Sequence, residues 1–94
     1  MTKKQIFVIV AKYEYELNGY PPERWIGDAP IISARLASRE LALRHAMWMC
    51  KNIPELVKKH KMKKANQWLG FIQGILWVTG TKSINVMTHD SKIV

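Results

Sequence analysis

The fold turns on one stretch, Asn66-Gln67-Trp68-Leu69-Gly70-Phe71-Ile72-Gln73-Gly74-Ile75-Leu76-Trp77-Val78. With Ala65, the residues Trp68, Leu69, Ile72, Ile75 and Leu76 recur at helical spacing and make one face, while Phe71, Trp77 and Val78 lie off it. A helix apolar around nearly its whole circumference is expected to be buried all round. In 94 residues that means a central helix wrapped by the others, or one whose burial is completed in an oligomer. Gly70 and Gly74 each cost a helix about 1 kcal/mol relative to alanine. Their spacing therefore predicts a close backbone approach, either by internal packing or along a homo-oligomer seam of Trp68, Gly70, Phe71, Gly74 and Trp77. Gln73, polar within this belt, is expected to satisfy a backbone group or to pair across helices.

Outward from this stretch the pattern stays helical. Helix is expected from about Lys63 to Thr79, with Gly80 as its cap, then a short last helix from an N-cap at Ser83 to about Thr88. The tail 90–94 is expected to fray. Upstream, Lys58-Lys59-His60-Lys61-Met62-Lys63-Lys64 packs five lysines into seven residues, whose mutual repulsion predicts a helix break. Before it, Ser33 to about Lys51 shows a stripe of Leu36, Leu43, Met47 and Cys50, widened by Leu41, Ala42, Ala46 and Met49. Asn52-Ile53-Pro54-Glu55 is read as ending that helix and starting another, with proline in a first turn and Asn52/Glu55 at capping-box spacing.

Gly19 to Pro30 holds three prolines and two glycines and is a connecting loop; Trp25 and Ile26 interrupt its polarity, read as a loop packed onto the core by one aromatic anchor or, alternatively, as an exposed recognition Trp. Residues 3–18 read two ways. Ile6-Phe7-Val8-Ile9-Val10 has strand propensity, yet Ile6, Ile9, Val10, Tyr13 and Leu17 fall at helical spacing. Thr2 and Gln5 form a capping box, and Leu17-Asn18-Gly19 is a helix stop. Helix is preferred. The expected architecture is all-α: one domain over residues 1–94, a compact bundle of three main helices plus a short C-terminal helix. The alternative is an α+β fold with an N-terminal strand at about 5–14.

Hydrophobic residues make up 48% of the chain and charged residues 23%, a globular balance. A single cysteine, Cys50, excludes an internal disulfide and fits a reducing compartment. No stretch approaches the about 20 apolar residues of a membrane span. Lys3 and Lys4 precede an apolar run, but it meets Lys12 and Glu14 without a small-residue cleavage site, so a cytosolic chain is expected. The net charge of +8 is uneven, with +2 in residues 1–50 and +6 in 51–94. That excess favours anionic partners without choosing among them.

No residue set points to catalysis. His45, His60 and His89 are far apart and none has a partner at metal-ligand spacing. Cys50 beside Met47 and Met49 reads as a core thiol. Glu14 and Glu16 diverge on a helix. No phosphate-binding glycine loop is present, because Gly70 and Gly74 are embedded in a helix instead of opening one. The expectation is a non-enzymatic protein with no metal and no cofactor.

Leu41-Ala42-Leu43-Arg44-His45-Ala46-Met47-Trp48-Met49-Cys50 and Lys64 to Trp77, followed after a glycine by a short Ser-Ile helix, resemble small uncharacterised proteins of tailed bacteriophages. Those carry an Arg-Trp-Leu-Gly-Phe-x-Gln-Gly-x-Leu-Trp core. Here Gln67 replaces the arginine, which removes one anion contact. The resemblance covers about half the chain and implies a phage origin, a helical fold and work in the host cytoplasm; it brings no activity with it. By analogy of class, small phage proteins often act as stoichiometric effectors that capture a host or defence factor.

Two functions follow as expectations. The first is such an effector, binding a host or defence protein or a small anionic ligand. Arg35, Arg39, Arg44, Lys58, Lys59, Lys61, Lys63 and Lys64 are its candidate anion or partner contacts, and homo-oligomerisation completes its surface. The second is a sequence-nonspecific nucleic-acid binder that neutralises phosphates with residues 58–64 and stacks bases on Trp48 or Trp25.

Overall fold

Three helices form in the computed structural model, which describes residues 2–24, 38–83 and 86–87. Helix α1 spans Lys3–Glu16, α2 Ser38–Lys58 and α3 Met62–Val78. No strand occurs among the described residues, so the alternative of an N-terminal strand is set aside. The capping box decides that start. Thr2 Oγ1 accepts from the Gln5 backbone N–H at 3.2 Å, and the Gln5 side-chain oxygen accepts from the Thr2 N–H at 2.8 Å. Two donors that a helix start leaves orphaned are thereby satisfied. Ile6, Ile9, Val10, Tyr13 and Leu17 are all buried, the helical stripe read from sequence, while Phe7 and Val8 face outward. Gly19, at φ +103°, reverses the chain beyond the helix.

One boundary differs from the reading of the sequence. No break occurs at Asn52–Glu55: α2 runs unbroken through Pro54 to Lys58. Proline removes one backbone donor, but Cys50, Ile53 and Val57 lie on one helical face and are each at most 1% exposed. Burial of that face outweighs the lost bond. Asn52 caps nothing downstream; its amide nitrogen donates back to the Trp48 carbonyl at 2.7 Å. The break comes at Lys59-His60, within the basic run. The His60 N–H donates to the Val57 carbonyl at 3.0 Å and the Lys61 N–H to Leu56 at 2.8 Å, with His60 in the left-handed region at φ 59°. That is a Schellman end with histidine where glycine is usual. The end of α3 repeats it with glycine: Gly80 donates to Trp77 and Thr81 to Leu76.

Helix α2 lies against both others, and more extensively against α3. Its buried residues Leu43, Ala46, Met47, Met49 and Cys50 meet Ala65, Leu69, Ile72 and Leu76 of α3 and the α1 stripe in one core. Across α1 and α3, Gln73 Nε2 donates to the Tyr13 hydroxyl at 3.0 Å, the cross-helix pairing expected of it. Ser83 caps the next turn, its Oγ accepting from the Val86 N–H at 3.2 Å, and Met87 closes the core. Trp25, Ile26, Arg35, Leu36 and the 90–94 tail lie outside the described residues, as does the rest of the expected last helix.

Of the two readings of α3, the central helix wrapped by the others is corrected; completion of its burial by a second copy concerns a face that the single chain leaves open. One face is inside; Phe71 is 57% exposed, Trp77 55% and Val78 72%. Nor do the glycines allow an internal close approach. A Cβ placed on Gly70 or Gly74 would meet nothing within 4 Å among the described residues. Both glycines lie on the open side of the helix.

Candidate functional site

Helical spacing assembles an aromatic cluster where α2 crosses α3. His45 and Trp48 are three apart on α2 and stack, with ring centres 5.8 Å apart and planes 18° from parallel. Trp68 on α3 meets Trp48 at 5.6 Å, tilted by 36°. Three residues on, Phe71 meets His45 edge-on at 6.2 Å. Residues three or four apart share a helical face, so each pair is a local consequence of sequence. Their meeting depends on the packing of α2 against α3.

Two cations border the rings. Lys64, one turn before Trp68, sits 5.8 Å from its ring centre. Arg24 comes from the 20–24 segment, its guanidinium 5.2 Å from the Trp48 ring centre. The Glu23 N–H donates to the Arg44 carbonyl at 3.2 Å, and the Glu23 carboxylate meets the Arg44 guanidinium at 3.0 Å. These bonds hold Arg24 in place. Together the rings and cations line an open groove of about 610 Å³, with Gln67 and Met49 completing its wall. It runs into a second hollow of about 520 Å³ lined by residues 60–64, sharing Lys64, Gln67 and Trp68.

The candidate cations divide into two groups. Arg44 is engaged internally, held by Glu40 at 2.7 Å as well as by Glu23, and these carboxylates raise its pKa further. Arg39 donates to the Thr79 carbonyl at the end of α3. Lys58 is 3.7 Å from Glu55. Elsewhere Glu14 pairs with Lys51 and Glu16 with Lys82. Every described glutamate thus has a partner outside the run 59–64, and Lys59, Lys61 and Lys63 make no ion pair among the described residues. All three are exposed. Among the described residues these lysines form a positive ridge without ion-pair partners, beside the aromatic groove.

Charge and burial set the chemistry. Burial, and then the positive charge of Arg24, lower the pKa of His45 below its ordinary 6.5. Burial pushes the Cys50 thiol up to about 12, leaving it protonated and inert. Among the described residues no three His, Cys, Asp or Glu side chains gather as a metal site. No helix among them is long and apolar enough to cross a membrane. Of the seam residues read from sequence, Trp68 belongs to the groove and Phe71 to its rim, while Gly70, Gly74 and Trp77 continue outward along α3. Arg24, His45 and Gln67 are not among the site residues expected from sequence. His45 and Gln67 carried a spacing signal; Arg24 carried none. No family model, curated protein or solved structure matches the chain.

Proposed function

We propose that the chain is a non-enzymatic binding protein that acts by holding an anionic partner at this groove. One observation carries the reading: the aromatic groove opens onto lysines that no carboxylate of the described chain neutralises. Such a ridge costs the folded domain, because like charges so close repel one another. It becomes favourable when an anion covers it. The phage-like core adds a setting, in which the chain works in the host cytoplasm as a stoichiometric effector on a host or defence factor.

Native mass spectrometry of the full chain recovered from host lysate tests this reading. The expected result is a stoichiometric acidic or phosphate-bearing adduct that is lost in an Arg24→Ala/Lys64→Ala double variant. A bare chain, or an adduct indifferent to both substitutions, overturns it.

A further inference from the structure

We infer that the groove takes a single-stranded nucleic acid, its phosphates along Lys59, Lys61, Lys63 and Lys64 and its bases against Trp68 and Phe71. This rests on the anion-capture reading above and narrows it to one chemistry. Lys64, Trp68 and Phe71 fall at helical spacing along one ridge of α3, covering about 10 Å at the usual rise of 1.5 Å per residue. The cations stand at the N-terminal end of that ridge and the rings follow. A single strand offers the same alternation, with charge on its backbone and flat faces on its bases. Gln67, between Lys64 and Trp68 on the groove wall, brings an amide that both donates and accepts toward a base edge.

The ring arrangement favours a single strand over the other anions. Duplex DNA keeps its base faces stacked on one another, so it could use the lysines but not Trp68 or Phe71. An acidic peptide would satisfy the lysines and bring no flat faces to the rings. Phe71 is 57% exposed, with its ring set at 84° to that of His45, so it offers open ring surface to a base. DNA and RNA both present this chemistry.

The test titrates the full chain with oligo(dT), oligo(rU), a duplex of equal length and poly-glutamate, read by tryptophan fluorescence and anisotropy. Single strands are expected to bind more tightly than the duplex and to quench tryptophan emission. With four lysines engaged, the slope for single strands is about 0.7 per charge, so affinity should fall about 50-fold between 50 and 200 mM salt. Phe71→Ala is expected to weaken single-strand binding about tenfold and leave duplex binding unchanged. Lys59→Gln/Lys61→Gln/Lys63→Gln should flatten the salt dependence; these exposed positions leave the fold intact. Equal affinity for duplex and single strand, with no effect of Phe71→Ala, overturns the inference. If poly-glutamate alone binds, this inference falls and the anion-capture reading stands. If no polyanion binds at low salt, both fall.

Discussion

Ile72 and Phe71 are neighbours in sequence, yet Ile72 is fully buried and Phe71 is 57% exposed. The same contrast runs the length of α3. Ala65, Leu69, Ile72 and Leu76 face α1 and α2, while Gly70, Phe71, Gly74, Trp77 and Val78 face away. Composition does not distinguish these sides, because both are apolar. Packing does. Two neighbouring helices cover about half a cylinder, and in a chain this short no third element among the described residues covers the rest. The inner face carries the fold, and the outer face is left exposed.

The largest expected effect follows from that division. Ile72→Ala should cost about 3 kcal/mol, within the range for truncating a fully buried aliphatic side chain. Phe71→Ala should cost about 1 kcal/mol or less, because it loses only part of an aromatic edge contact. Urea unfolding followed by far-ultraviolet circular dichroism reads both. Comparable losses at the two positions would mean that the outer face is covered in solution and that the comparison fails.

The glycines sharpen it with a sign. With nothing within 4 Å of either added Cβ, Gly70→Ala and Gly74→Ala should each stabilise the chain by about 1 kcal/mol through helix propensity alone. Sedimentation should be unchanged. A seam between two copies reverses both results, because a methyl group there would hold two backbones apart. Destabilisation with a loss of mass in sedimentation would therefore mark the outer face as a self-interface.

Much of the inner face was legible from spacing and capping. Thr2 with Gln5, the α1 stripe, Cys50 and the Gln73 cross-pair depend on local chemistry or on apolar periodicity, both of which are written in the chain. The unbroken passage of α2 through Pro54 was not legible, because proline is a local signal and the burial of Ile53 and Val57 is a tertiary one. Gly70 and Gly74 were ambiguous for the same reason: a glycine pair shows that backbone could approach, and only the packing shows that no described residue of the same chain does. In the groove, the lysines could be counted from sequence. Which of them keep a free charge depended on where five glutamates found partners.

A smaller effect tests the inner boundary of α3. Tyr13 is fully buried and its hydroxyl accepts from Gln73. Tyr13→Phe keeps the ring and leaves the Gln73 amide without that acceptor, for a loss of about 1 kcal/mol. If the same loss appears when Gln73 is already alanine, the hydrogen bond is not its source. A double-mutant cycle measures this directly.

The smallest effect lies where the two faces meet, at His45, which stacks on half-buried Trp48 and touches exposed Phe71. Burial first, and Arg24 second, lower its pKa from 6.5. Between the lowered value and 6.5 the unfolded chain therefore holds more of this proton than the folded one. The stability contributed by neutral His45 is complete above pH 6.5 and is lost as pH falls through the folded-state value. His45→Gln should remove that acid-side loss while retaining the slope contributed by other groups. Urea midpoints for both proteins, taken on either side of the transition, isolate the difference. An anion seated against Arg24 would offset one of the two causes, so a bound polyanion should raise the His45 pKa, as followed by its imidazole proton resonances. Parallel pH profiles for the two proteins would place His45 in an environment no different from solvent, and the groove would then lack the partly desolvated wall that makes its cations and rings act together.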